Sequence, residues 1–342
     1  MLLLAGFAVS GCSTPPEVDR YVVEDEGRST IRSFFDKREP DSASQWAYAR
    51  QTQDRGQLKT AERRMLYLHR RWPNSKEAPW AARARADMLF SREQWESAFF
   101  AYQYLIDNYS SRMQDYDSVL ERQYAVAVKV MERKRMRWFF GGYRAPEYAI
   151  EYFETVIRNG PQWDRAPEAQ FMIGTCHQEA KEYDLAVMSY GVLGYRYPDS
   201  AYAEEAAWLQ LGCLEKLREE YPSDSEILER ILTSSTVFIS TFPESKYIDR
   251  VKQFRNKLYE IMAERAYKRA DFYVKVPKEA EAAIICFEQM IEEFPKSRKV
   301  PEAKERIIEL KALLKRPEEA GSLDVSRSRP LPFTKEYQDD ED

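Results

Sequence analysis

A short turn motif recurs along this 342-residue chain, and it constrains the fold more than any other feature. Each copy consists of an aromatic residue, a proline, a polar residue and a serine. Proline cannot continue a helix and biases the preceding residue away from helical geometry, whereas serine favours the start of the next helix. The motif therefore predicts the boundary between two helices. The four clear copies are Trp72–Ser75, Tyr197–Ser200, Phe242–Ser245 and Phe294–Ser297.

The residues before each turn keep a fixed register. A small or apolar residue stands twelve positions before the proline, and mostly larger apolar residues stand eight and five positions before it. These offsets fall on one face of a helix. Two degenerate turns, with Ser110 and Pro161 in the proline place, share the register. The residues at the first offset are Ala61, Ala98, Ala149, Ala186, Ile231 and Ala283.

Paired helices joined by such turns resemble tetratricopeptide repeats, whose period is about 34 residues. Here successive turns lie 37 to 52 residues apart, so some helices are extended. The resemblance implies an all-α fold, a tetratricopeptide-like helix-turn-helix solenoid of about five to six repeats spanning 42–316. The predicted helices are 42–54, 57–71, 77–91, 94–108, 116–138, 146–158, 165–180, 183–195, 201–219, 225–241, 246–272, 278–293 and 299–315.

The N-terminal apolar run is too short to cross a bilayer, which takes about 20 apolar residues. It ends in Val9-Ser10-Gly11-Cys12, which resembles the bacterial lipobox. The resemblance implies a signal peptide, 1–11, removed before a lipid-bearing Cys12, then a flexible linker over 12–41. Ser13, in place of Asp, favours the outer membrane. Because no Lys or Arg precedes the run, we expect the true start to lie upstream.

The third repeat unit carries the most specific resemblance to a known family. Asp115-Tyr116-Asp117 precedes a long predicted helix, and Trp138–Arg144, which includes Phe139-Phe140-Gly141, follows it. With the lipobox and the turns, this arrangement resembles the BamD family of lipoproteins over about 42–300. This chain departs from the family in its longer fifth and sixth units and in an acidic segment, 317–342, which we expect to be disordered.

The resemblance implies a non-enzymatic scaffold on the periplasmic face of the outer membrane, within the machinery that assembles β-barrel proteins. The implied partners are a barrel protein bearing POTRA domains, accessory lipoproteins and unfolded barrel substrates. The alternative is another periplasmic repeat lipoprotein, serving the Tol–Pal system, cell-wall synthesis, or secretion and export. Prolines in 13–45 break any heptad expected of a Tol–Pal repeat factor, which favours barrel assembly.

Aromatic residues in the first two repeat units are the candidate contacts for an apolar, aromatic-rich strand. The alternative is that they pack between helices. The candidates are Trp46, Tyr48, Trp80 and Trp95.

Other chemistry has little support in the sequence. No metal site, cofactor motif or catalytic constellation stands out, and a net charge of −5 gives no footprint for nucleic acid. Cys176 and Cys213 occupy equivalent repeat positions, so they form either two buried thiols, which we favour, or a disulfide. The basic run Met131–Arg137 is interpreted as the solvated end of a long helix, with lipid headgroups or an acidic partner as the alternative.

Overall fold

The structure of the chain is a computed structural model, and it describes residues 38–136, 142–222, 224–276 and 279–314. The predicted signal peptide, Cys12, nearly all of the linker and the acidic segment 317–342 lie outside these residues. The Phe139-Phe140-Gly141 insertion lies outside them as well.

Thirteen α-helices account for most of the described residues. A two-stranded antiparallel hairpin and two 3-10 turns, Ser110–Arg112 and Pro146–Ala149, complete the elements. In chain order the helices are α1 Ser42–Asp54, α2 Leu58–Arg71, α3 Ala78–Ser91, α4 Trp95–Tyr109, α5 Tyr116–Glu132, α6 Ile150–Asn159, α7 Ala166–Glu179, α8 Tyr183–Arg196, α9 Ala203–Glu220, α10 Ser225–Thr241, α11 Ile248–Val274, α12 Ala280–Glu293 and α13 Val300–Leu314.

The chain divides into two compact units after Ala206. The first unit contains α1 to α8, and within it each helix packs against the next. The second unit contains α10 to α13, which pack in the same consecutive way. Helix α9 crosses the division. The all-α helical-repeat fold class is therefore confirmed.

The repeat register accounts for the cores of both units. All six residues twelve positions before a turn are fully buried, at 0 % exposure. The residues eight and five positions before the turns, including Tyr102, Phe153 and Phe287, are at most 1 % exposed. Alanine at the first offset lets neighbouring helices approach closely, and the aromatic rings fill the space between them.

The turn serines stabilise the turns and do not cap the helices that follow, as the sequence predicts they would. They were expected to cap the following helices, but α3, α9, α11 and α13 begin three residues after the serine. In two of the four turns the serine oxygen accepts a backbone N–H two residues on, at 3.0 Å for Ser245 and 3.1 Å for Ser297. Ser75 and Ser200 make no such bond. The backbone bond from the serine N–H to the aromatic residue's carbonyl, 3.0–3.1 Å, holds all four turns.

In the third repeat unit, the prediction of a helix running to residue 138 is wrong. Helix α5 ends at Glu132, and Arg133 is extended, with φ −67 and ψ 123. Strand β1, Lys134–Met136, then pairs antiparallel with β2, Gly142–Arg144. The basic run is therefore not the solvated end of a long helix. Its residues favour a helix individually, but pairing with β2 supplies the hydrogen bonds that a helix would give.

Candidate protein-binding surfaces

Two of the four predicted aromatic contacts, Trp46 and Trp80, come together in the first unit. Trp46 lies on α1 and Trp80 on α3, and their ring centroids are 6.0 Å apart at an angle of 51°. Trp80 is 44 % exposed. Arg50 lies over the Trp46 ring at 5.7 Å, and the Lys76 amine over the Trp80 ring at 5.6 Å. We call Trp46, Trp80, Arg50 and Lys76 the tryptophan surface.

The other two predicted contacts lie elsewhere and serve the packing of helices. The Arg64 guanidinium stacks on the Tyr48 ring at 3.7 Å and donates to the Tyr48 hydroxyl at 2.8 Å, which ties α1 to α2. Trp95 packs edge-to-face on Phe90 at 5.3 Å, next to the turn between α3 and α4. These contacts support the packing alternative for Tyr48 and Trp95, and their contact role stays a prediction.

Helix α8 carries an exposed apolar face that the repeat register does not predict. Leu185, Met188, Val192 and Tyr195 follow spacings of three, four and three, so they form one stripe along the helix. Their exposures are 44, 64, 38 and 88 %. The opposite side of α8 carries the buried repeat positions. We call these four residues the α8 face; from Leu185 to Tyr195 it is about 15 Å long.

The signal for the α8 face is present in the sequence. The repeat register accounts for Ala186, Tyr190 and Leu193 as core residues, so four further apolar residues at helical spacing remain unexplained by the core. A stripe of large apolar side chains left in water is a common mark of a protein-binding site.

An amide cluster near α4, α5 and α6 is a structural feature of the first unit. The Gln123 amide donates to Gln103 at 2.9 Å, and the Asn159 amide donates to Gln103 at 2.7 Å and to Gln123 at 2.9 Å. A cleft of about 250 Å³ lies beside Gln103 and Asn159, lined also by Phe99 and Tyr152. Because these amides already bond to one another, they hold the three helices together.

The cysteine side chains and His177 are placed for packing and hydrogen bonding within the fold. Cys176, Cys213 and Cys286 are free thiols, so the preferred prediction of unpaired Cys176 and Cys213 is confirmed. Burial raises the pKa of the Cys176 thiol to about 12 and that of Cys213 to about 11, which makes both poor nucleophiles. The His177 ring bonds to the Glu182 carboxylate at 2.7 Å.

His69 is buried beside the ring of Tyr104, with ring centroids 5.1 Å apart. Burial, with lesser repulsion from Arg85 and Arg70, lowers the pKa of His69 to about 3. The ring is therefore neutral at ordinary pH.

Metal sites and membrane spans are not found in the described part of the chain. It contains no group of three or more His, Cys, Asp or Glu residues placed to hold a metal ion. None of its helices combines the length and apolar character needed to span a membrane.

Comparison with known proteins identifies the family. The family model of YfiO, described as an outer membrane lipoprotein, matches residues 143–314, which is half of the chain. The chain belongs to this family. The lipobox, the turns and the third repeat unit resemble this same family, so the predicted family is confirmed. The match also supports an outer-membrane location.

The other comparisons add little. A tetratricopeptide repeat protein of Parabacteroides merdae is similar at 14 % identity, covering 79 % of this chain and 98 % of that one, with a TM-score of 0.29. At that TM-score the similarity carries no argument. The curated proteins gave no match.

Proposed function

We propose that the chain is a lipid-anchored, non-catalytic scaffold of the machinery that assembles outer-membrane β-barrel proteins. It binds POTRA domains of the central barrel protein and receives unfolded barrel substrates. The observation that carries the proposal is an exposed apolar helix face, the α8 face, in a member of an outer membrane lipoprotein family. Such a face suits protein binding and offers no groups for chemistry.

The α8 face is the proposed docking surface for the POTRA-bearing protein. Its four side chains form a narrow apolar stripe about 15 Å long, which matches the packing face of a helix or a sheet edge on a folded domain. Met and Tyr suit such a surface because Met adapts its shape and Tyr combines an apolar ring with a polar hydroxyl.

The tryptophan surface is the proposed site for unfolded substrates. Two neighbouring indole rings suit an aromatic or aliphatic side chain of an extended segment. Lys76 and Arg50 lie over these rings, in a position to pair with a carboxylate of that segment. A folded domain needs a broader contact, so the two surfaces suit different partners.

Cys12 is the proposed anchor, with residues 1–11 removed and 12–41 acting as a tether. Two or more acyl chains at one site give stable membrane attachment. Replacing Cys12→Ala should move the chain from the membrane fraction to the soluble periplasmic fraction. Equal membrane retention of the variant and the parent would remove the anchor from the proposal.

Affinity purification from native membranes tests the function as a whole. We expect a POTRA-bearing barrel protein among the recovered partners, at a level that falls at least tenfold when Met188 and Val192 both become Glu. The matched control is Glu at Ile285 and Ile308, two exposed apolar positions of the second unit. Recovery of Tol–Pal or cell-wall proteins in place of the barrel protein would support the alternative scaffold and contradict this one.

A further inference from the structure

The second unit contains an open groove of about 1600 Å³ between α10 and α11, which extends to the turn before α13. Its apolar lining includes Leu232, Val237 and Ile261, and Val237 is 56 % exposed. Most of the residues that line the groove lie on α11, which is 27 residues long. We call it the α11 groove.

The α11 groove is basic although the whole chain carries a net charge of −5. Six cationic residues line it against three carboxylates, which leaves an excess of three positive charges. The cationic residues are Arg255, Lys257, Arg265, Lys268, Lys296 and Arg298, and the acidic ones are Glu260, Glu264 and Glu293.

Two of the carboxylates are already engaged within the unit. Glu260 accepts the Ser297 hydroxyl at 2.9 Å, and Glu264 pairs with the amines of Lys268 at 3.6 Å and Lys299 at 3.3 Å. Across the described stretches of the chain, Arg255, Lys257 and Lys296 form no ion pair. The groove therefore presents positive charge above an apolar lining, which fits a segment that is both acidic and apolar.

The chain supplies such a segment outside the described residues. Residues 331–342 read LPFTKEYQDDED. The part 336–342 holds five carboxylates and no Lys or Arg, and Leu331, Pro332 and Phe333 precede it. The segment therefore combines negative charge with apolar side chains, and both complement the groove.

The segment is attached at a suitable distance. Helix α13 starts just after Lys296 and Arg298 and ends at Leu314; its 15 residues cover about 22 Å. Residues 315–330 join Leu314 to the segment. A 16-residue chain reaches about 50 Å when extended and has a root-mean-square span of about 20–24 Å as a coil. The match between span and distance gives an effective concentration in the millimolar range.

We propose that segment 331–342 docks into the α11 groove of its own chain, with its carboxylates on the groove cations and Phe333 against the apolar lining. Individual exposed ion pairs are weak, but a tethered segment is half-bound even when its intrinsic Kd is about 1 mM. A separate copy at micromolar concentration does not compete with it. The docked segment covers the groove.

Carbodiimide coupling of the full chain tests the contact directly, because it joins a carboxylate to a lysine amine in an ion pair. We expect coupling of residues 339–342 to Lys257, Lys268 or Lys296 within the monomer. The yield should fall at least fivefold in 0.5 M NaCl and in the variant D339N/D340N/E341Q/D342N. Products formed only between two copies, or equal coupling to lysines outside the groove, would overturn the proposal.

Binding of a labelled peptide with the sequence 331–342 tests whether the groove is covered. The peptide should bind the variant D339N/D340N/E341Q/D342N, called the neutralised chain, at least about twofold more tightly than the unmodified full chain. K257E/K296E in the neutralised chain should abolish binding. The control K252E/K304E changes the charge equally at exposed positions outside the groove lining. Equal affinity for the neutralised and unmodified chains, or equal loss in the control, would contradict docking.

Discussion

The first and second units have similar cores but different exposed surfaces. In both, alanines and aromatic residues at the repeat register are fully buried. The first unit exposes Trp80 and the α8 face, which are apolar, whereas the second exposes the cationic α11 groove. The repeat fixes only the face of each helix that packs on its neighbours, so the opposite face is left to distinguish one unit from the other.

The largest predicted effect tests the similarity of the cores. Phe153 and Phe287 hold the same register position in the two units and are both 0 % exposed. Phe→Ala at either position should lower the free energy of unfolding of its unit by about 3–5 kcal/mol. Hydrogen exchange, resolved by unit, measures the loss. The exposed controls Tyr195→Ala and Ile285→Ala should change stability by less than about 0.5 kcal/mol. A small loss at only one of the two buried positions would show that the cores differ.

Acid sensitivity should distinguish the units. Both histidines lie in the first unit. The folded-state pKa of His69, about 3, lies below its ordinary value of 6.5, so the unfolded chain takes up the proton first. The resulting stability is present above pH 6.5 and is lost as the pH falls, by about 1.4 kcal/mol per pH unit.

Between pH 6.5 and 5 this loss amounts to about 2 kcal/mol in the first unit. In the variant His69→Leu that part of the pH dependence should disappear, as measured by hydrogen exchange at the two pH values. The second unit, which contains no histidine, is the internal control. An unchanged pH dependence in His69→Leu would show that His69 is not buried in the neutral form.

The α8 face should contribute to partner binding without contributing to folding. Met188→Glu with Val192→Glu places two charges in a contact that excludes water, so affinity for the POTRA-bearing partner should fall at least about tenfold. Thermal stability should stay nearly unchanged because both side chains are exposed. If Glu at Ile285 and Ile308 weakens binding equally, the partner does not distinguish the two units.

The tryptophan surface should give the smallest effect. Trp80→Ala removes one of two rings, so affinity for an aromatic-rich peptide with the alternating pattern of a barrel strand should fall about three- to fivefold. Fluorescence anisotropy with a labelled peptide measures it. Trp95→Ala is the matched control because Trp95 packs on Phe90 away from this surface. An equal loss in the control would attribute the effect to general loosening of α3 and α4.

The repeat register made the helices and both cores predictable from sequence. Proline turns mark helix ends chemically, and the fixed offsets mark the buried faces, so most predicted helices end within about two residues of the observed ends. The end of α5 was not predictable in this way, because residues 131–137 favour a helix locally and the decisive pairing with Gly142–Arg144 is not local. Tertiary contacts override propensity at such a position.

The candidate surfaces were only partly predictable. In the first two repeat units, the sequence shows only which residues are aromatic. Residue type does not separate Trp46 and Trp80 from Tyr48 and Trp95, which pack against Arg64 and Phe90. The α8 face is predictable because its apolar residues are those that remain once the buried residues of the repeat register are identified. The α11 groove is not, because it is formed by residues from α10, α11 and a distant turn.

Photo-crosslinking in living cells tests most directly the claim that the first unit carries the docking surface for the assembly partner. A photoreactive residue would replace Val192 on the α8 face in one strain and Ile285 of the second unit in another. We expect a crosslinked product that contains a POTRA-bearing barrel protein at position 192 and none at position 285. The same product at both positions, or at neither, would contradict this claim.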